Sequence, residues 1–186
     1  TFDGEEILLA ELLPKWREIF PDLFLVLVPR HFERAGAVLD QLKSTKLKVA
    51  RRTAMEAAPE NPDVLLVDST GELKSFFAVA TVVFMGKSLT AQGGQNPIEP
   101  AAAARAIVFG PFMQNFRAVV GELLAAKGAV QVMDETELAG EIPVLLEDLE
   151  QREALGAAAL GVVLANKGAS QRTADWLGQT LRALAK

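Results

Sequence analysis

Short unbroken apolar runs recur along this chain, separated by longer stretches with helical periodicity. That alternation restricts the fold more than any other feature. The runs are Phe24–Val28 (FLVLV), Val64–Val67 (VLLV), Thr81–Met85 (TVVFM), Ala106–Phe109 (AIVF) and Ala129–Val132 (AVQV). A continuous run of four or five apolar residues suits a strand covered on both faces, as in a parallel sheet. Lys46–Arg51 (KLKVAR) alternates basic with apolar residues and predicts an edge strand blunted by lysine, with a basic anion patch as the other reading. Helices are expected over Glu5–Ile19, Phe32–Leu42, Glu72–Val79, Pro97–Ala104, Gln114–Ala126 and Glu135–Leu149. Two or three more close the chain, the first diluted by Gly156 and Gly161 and ended by Gly168 as a C-cap. Strand–helix alternation with short loops predicts an α/β fold with a doubly wound parallel sheet.

The 186 residues are expected to form one domain, residues 1–186, whose C-terminal helices begin at about residue 134. Half the residues are hydrophobic and 23% are charged, a balance that excludes intrinsic disorder. A net charge of −5 argues against nucleic acid as a partner. The absence of cysteine excludes disulfides and zinc–thiolate or iron–sulfur sites, and the single histidine, His31, excludes a His-rich metal centre. No stretch of about 18 uninterrupted apolar residues predicts a transmembrane span. The acidic opening Thr1-Phe2-Asp3-Gly4-Glu5-Glu6 has none of the features of a signal peptide. There is no initiator Met, and the chain opens directly on a helix. A fragment or processed product is therefore expected, with the first strand of a Rossmann-like sheet cut away or on an absent segment.

In open α/β sheets, ligands bind beyond the carboxyl ends of the strands, against helix N-termini. Four consecutive loops there carry glycine, polar and cationic residues. The richest runs from Gly93-Gly94 to Pro100. Its glycines allow close backbone approach and its following helix offers free N–H groups to an anion. Capping accounts for part of it equally well: Asn96 as N-cap, Pro97 at the first helical position and Glu99 in capping-box position. Ser69 and Glu72 repeat that spacing, and the Thr70 and Gly71 amides suit a phosphate or a base edge. Arg30 suits an anionic ligand group or is a solvated strand-end arginine. His31 suits an acidic ligand group or a supporting hydrogen bond.

Other motifs fail on inspection. Gly86-Lys87-Ser88 looks like the tail of a P-loop, but Thr81 stands where that motif needs glycine. No G-x-G-x-x-G follows a strand, and no G-x-S-x-G elbow exists. Asp68 ends a strand as a phospho-acceptor would, without the neighbouring acidic pair that Mg²⁺ binding needs.

Taken together, five segments resemble the 3-deoxy-D-manno-oct-2-ulosonic acid (Kdo) transferases of lipopolysaccharide synthesis. They are Gly4-Glu5-Glu6, Val28-Pro29-Arg30-His31, Asp68-Ser69-Thr70-Gly71-Glu72-Leu73, Gly93-Gly94-Gln95-Asn96-Pro97-Ile98-Glu99-Pro100-Ala101-Ala102, and Phe109-Gly110-Pro111 with Asn115-Phe116. Their order and spacing carry the resemblance across roughly residues 1–132.

The resemblance implies the C-terminal, donor-binding half of a two-domain GT-B glycosyltransferase. Its donor is CMP-Kdo and its acceptor a lipid A precursor, with no further cofactor and no metal. Matching positions imply donor-nucleotide contacts from Pro29, Arg30 and His31, from Thr70, Gly71 and Glu72, and from Gly93, Gly94, Asn96, Pro97, Ile98 and Glu99. No catalytic residue is expected in this chain. The catalytic carboxylate, acceptor site and membrane contact are expected in the other half, at the cytoplasmic face of the bacterial inner membrane. A GT-B domain for a UDP-sugar and a non-catalytic nucleotide-binding module are the alternatives. Three positions depart from the family pattern: Phe2 and Gln95 replace histidines, and Lys87 replaces a glycine. Lys87 reads either as an added cation for a donor carrying phosphate and carboxylate or as a solvated loop lysine.

Overall fold

The computed structural model describes residues 1–168, 176, 177 and 182. Helix α1 (Glu5–Arg17) leads into strand β1 (Leu25–Leu27), followed by α2 (Ala35–Leu42), β2 (Val49–Arg51), β3 (Val64–Leu66) and α3 (Leu73–Val79). The second half runs β4 (Val82–Met85), α4 (Ile98–Ala102), β5 (Ala106–Phe109), α5 (Arg117–Ala125), β6 (Val130–Gln131), α6 (Glu135–Glu147) and α7 (Leu149–Asn166). Each predicted apolar run forms a strand, shortened by a residue or two except for Ala106–Phe109. The weaker basic run contributes β2.

All strand pairs are parallel, in two three-stranded groups of order β1-β3-β2 and β4-β5-β6. β2 lies at an outer edge, as its lysines predict. Alternation along β5 shows how helices cover both faces. Ala106 and Val108 join Leu8, Leu12, Leu13 and Trp16 of α1 and Leu138, Ile142 and Leu145 of α6. Ile107 and Phe109 pack with Phe77, Leu123, Ala159 and Val162 on the opposite face. The first cluster also takes Leu27, Val64 and Leu66, so α1 and α6 bind the two strand groups into one core. The Trp16 indole N–H donates to the Ala139 carbonyl at 3.0 Å and fixes α1 against α6.

Between β1 and β4 no strand lies among the described residues. Leu25, Val26 and Val28 on one side and Val82, Val83 and Phe84 on the other line an apolar slot there. At its carboxyl end the Thr1 nitrogen donates to the Val28 carbonyl at 2.7 Å, and the Arg30 N–H donates to the Thr1 carbonyl at 3.0 Å. This is parallel-ladder bonding by a single residue. It occurs between the two strand groups, beside β1.

All six expected helices are trimmed at one or both ends, α2 and α5 by 3-10 turns at Phe32–Arg34 and Gln114–Phe116. The expected Glu135–Leu149 helix stops at Glu147 because Asp148 is extended (φ −91°, ψ 95°) and its carboxylate accepts the Gln151 N–H at 2.8 Å, capping α7. The Arg152 guanidinium then donates to the Leu145 and Leu146 carbonyls, both at 2.6 Å, satisfying two of the groups left open at the end of α6. Gly168, at φ +83°, follows the end of α7 as expected; the further helices predicted beyond it fall largely outside the described residues.

Gly156 has a packing role that its effect on helix propensity conceals. A Cβ there would lie 2.2 Å from the Ala104 carbonyl oxygen, whereas a Cβ at Gly161 would meet nothing within 4 Å. Gly156→Ala should therefore destabilise the domain by about 1–3 kcal/mol through overpacking. Gly161→Ala should stabilise it by about 0.5–1 kcal/mol. Urea unfolding of the two variants checks both signs.

Candidate functional site

The carboxyl ends of β1, β3 and β4 open on a cavity of about 650 Å³. Its floor is the apolar slot. Its rim is polar and includes Pro29, Arg30, Ser69, Thr70, Gly71, Gln95, Asn96 and Glu99. Of the residues singled out in the sequence, Pro29, Arg30, Thr70, Gly71, Asn96 and Glu99 thus meet at one cavity. His31, Glu72, Gly93, Gly94, Pro97 and Ile98 lie in the same loops without lining it.

After β1, Arg30 is exposed and makes no ion pair among the described residues. His31 is exposed and opens a short 3-10 turn, Phe32–Arg34, that leads into α2. Pro29 removes one backbone donor at the point where the ladder to Thr1 passes on either side of it.

After β3, the buried Asp68 carboxylate ties down the ends of two strands. It accepts the Arg51 Nε–H at 2.9 Å, the Thr53 N–H at 2.9 Å and the Thr53 hydroxyl at 2.6 Å. Burial alone would raise its pKa. The bonds from Thr53 and Arg51 outweigh burial and hold it below the ordinary aspartate value. The Ser69–Glu72 capping box does not form. Glu72 is itself the N-cap of α3 without a side-chain capping bond. Its carboxylate takes the Ser69 hydroxyl and the Arg52 guanidinium, whose Nε–H donates at 3.0 Å. The Ser69 bond, reinforced by Arg52, lowers the Glu72 pKa. Arg52 follows β2, so the pair links a neighbouring strand to the loop that presents Thr70 and Gly71. Gly71 has φ +86° and open space where a Cβ would be, leaving its backbone accessible at the rim.

After β4, a carboxylate that sequence reasoning missed organises the loop. Glu5 is fully buried at the start of α1. Its Oε2 accepts the Phe2 N–H at 2.9 Å and the Lys87 N–H at 2.8 Å; its Oε1 accepts those of Ser88 at 3.0 Å and Leu89 at 3.2 Å. Beside it, buried Glu6 receives the Thr1 hydroxyl at 3.0 Å and Arg34 at 3.3 Å. Only the Gly4-Glu5-Glu6 segment pointed towards this cluster, because three of the four amides that Glu5 accepts lie more than eighty residues downstream.

Gly93 and Gly94 are buried against the next loop. A Cβ at Gly93 would lie 2.9 Å from the Asn115 Nδ2, and one at Gly94 2.4 Å from the Met113 Sδ. Their N–H groups donate internally, that of Gly93 to the Phe112 carbonyl and Gln114 Oε1, that of Gly94 to the Lys87 carbonyl at 2.7 Å. The glycines therefore serve loop packing, with neither amide left for a ligand. The cap also falls one residue later than expected. Pro97 is the N-cap of α4, and Asn96 Oδ1 accepts the Ile98 N–H at 3.0 Å as an Asx turn. Glu99 does not close a capping box. Its carboxylate has no hydrogen-bond or ion-pair partner among the described residues, and the residue lines the cavity. No group of three or more His, Asp or Glu residues suited to a metal ion occurs among the described residues.

No protein-family model matches the sequence. The 3-deoxy-D-manno-octulosonic acid transferase of Haemophilus influenzae is 36% identical over 178 residues, 95% of this chain and 42% of that protein. The enzyme of the same name from Bordetella pertussis is 34% identical over 186 residues, 96% of this chain and 44% of that protein. The chain thus spans less than half the length of these curated relatives. Among solved structures, the C-terminal CMP-Kdo binding domain of WaaA from Acinetobacter baumannii matches with a TM-score of 0.81 and 30% identity, over 88% of this chain and 85% of that one. The UDP-forming α,α-trehalose-phosphate synthase of Burkholderia vietnamiensis, at 18% identity and a TM-score of 0.59, shares the fold alone.

The parallel sheets, the helices on both faces and the site at the strand ends define the Rossmann-like half of a GT-B glycosyltransferase. Within that class, the chain belongs to the 3-deoxy-D-manno-octulosonic acid transferase family and corresponds to its C-terminal domain.

Because folding lowers the Asp68 pKa, the stability it contributes is fully present above about pH 4 and is lost as pH falls through the folded value. Asp68→Asn should cost about 1–2 kcal/mol at pH 7, discounted for the partly exposed Arg51. Its deficit relative to the parent chain should shrink below about pH 4, as chemical denaturation across pH 2–7 would show.

Proposed function

We propose that this domain binds CMP-Kdo and serves as the donor half of a transferase that moves Kdo to a hydroxyl of a lipid A precursor. The observation that carries this reading is Glu99. It is an unpartnered carboxylate on the rim of a cavity that it shares with a backbone opened by Gly71 and with the unpaired Arg30. A carboxylate without internal bonds can accept both hydroxyls of a ribose, and the Thr70–Gly71 backbone is free to meet the base or phosphate. Arg30 supplies positive charge for the phosphodiester. The likeness to a CMP-Kdo binding domain supports the choice of nucleotide and sugar.

On this reading the acceptor site and the catalytic carboxylate belong to a region outside this sequence, and so does membrane contact. The assembled enzyme works at the cytoplasmic face of the bacterial inner membrane. The domain by itself binds donor without transferring it.

Titration calorimetry with CMP-Kdo, CMP and UDP tests the assignment. Binding of the cytidine nucleotides and not of UDP is the expected result; preference for UDP would reassign the donor to a UDP-sugar. Glu99→Gln should weaken CMP binding by about ten- to a hundredfold, the equivalent of losing roughly 1.5–3 kcal/mol of charge-assisted hydrogen bonding. Its melting temperature should hardly change, because the Glu99 carboxylate makes no bond within the fold. Equal losses of affinity and stability would contradict the ribose role.

A further inference from the structure

We propose that Lys87 determines specificity for an acidic sugar, its ammonium taking the carboxylate of the donor while Arg30 faces the phosphate; this rests on the donor-binding reading above. Lys87 adopts φ +58°, in the left-handed region that a side chain other than glycine rarely occupies. The fold imposes this conformation from both sides. The Lys87 N–H donates to Glu5 Oε2 at 2.8 Å, and its carbonyl accepts the Gly94 N–H at 2.7 Å. Strain held this firmly in a strand-end loop is characteristic of functional positions.

The locked backbone also sets where the side chain goes. Its Cε passes 3.6 Å from the place a Cβ would occupy on Gly93, and its Nζ lies 5.0 Å from the centre of the Phe2 ring. Phe2 follows Thr1, whose carbonyl accepts from Arg30 and from the Gln95 side-chain amide. Lys87 does not itself line the cavity; it adjoins the lining through its chain neighbour Gly86, and Gln95, also in the lining, bonds the same Thr1 carbonyl as Arg30.

The charges nearby are unequally occupied. Arg34 shares the Phe2 ring at 5.7 Å but is paired with Asp3 and Glu6. Glu5, the acid bonded to the Lys87 backbone, already accepts four N–H groups. Lys87 has no carboxylate partner among the described residues, and neither does Arg30. An aromatic face steadies an ammonium without accepting hydrogen bonds from its three donors. Two unpaired cations, Arg30 joined to Thr1 through its backbone N–H and Lys87 over the Phe2 ring, match a ligand with two anionic groups. A nucleoside monophosphate linked to an acidic sugar has a phosphodiester and a carboxylate.

The test compares CMP-Kdo with CMP on the 186-residue chain and its Lys87→Met, Lys87→Gly and Lys87→Arg variants, with thermal melts to verify folding. Lys87→Met and Lys87→Gly should lose about tenfold or more in CMP-Kdo affinity and less than twofold for CMP. Lys87→Arg should keep most of the preference, and Lys87→Gly should melt higher as the strain is released. Unchanged CMP-Kdo affinity in folded Met and Gly variants, or equal losses for CMP and CMP-Kdo, would overturn the carboxylate role and leave the donor reading intact. A parent chain that binds neither compound would overturn the donor reading beneath it.

Discussion

The Glu5 carboxylate is the constraint on which the site depends. Two oxygens, buried from solvent, accept four backbone N–H groups, one from Phe2 and three from consecutive residues of the loop after β4. A buried carboxylate left unpaired would be costly, so the arrangement is stable only when loop and helix start come together. It fixes the first turn of α1 against the end of β4, and through α1 and its Leu8–Trp16 face it fixes β4 relative to β1. The geometry of the rim follows from that distance.

What the carboxylate begins, other long-range bonds continue. Gly94 bonds back to Lys87 and packs on Met113, so the glycine-rich segment is held between two loops. Asp68 gathers Arg51 and Thr53, and Glu72 gathers Ser69 and Arg52, so the loop after β3 is braced from β2. The fold satisfies these charges internally. The side chains of Glu99, Arg30 and Lys87 stand outside those networks, and binding chemistry is therefore available there rather than at the more numerous acids and bases nearby.

The strand pattern was legible because burial on both faces leaves an unbroken apolar run, and the edge position of β2 was legible from its lysines. Helix starts were less so. Asn96-Pro97-Ile98-Glu99 and Ser69-Thr70-Gly71-Glu72 have the spacing of capping boxes, yet Glu72 is drawn away by Arg52 and Glu99 is left free, outcomes decided by residues distant in sequence. Gly93-Gly94 read as an opening for a ligand, whereas Met113 and Asn115 occupy the space beside it. A pair of acids opening a helix ordinarily faces solvent near the positive end of the dipole. Little in the local sequence distinguished Glu5 and Glu6 from that case, because three of the amides Glu5 accepts come from the loop after β4 and Glu6 takes Arg34 from the turn before α2.

A cytidine nucleotide is expected to bind at the rim formed by the ends of β1, β3 and β4. Two-dimensional ¹H–¹⁵N NMR of the labelled domain during a CMP titration tests it most directly. Saturable shifts of the Arg30, Thr70, Gly71, Ile98 and Glu99 amides are expected, with those on the exposed side of α7 around Gly161 unmoved. Shifts clustered away from this rim, or none at millimolar CMP, would contradict it.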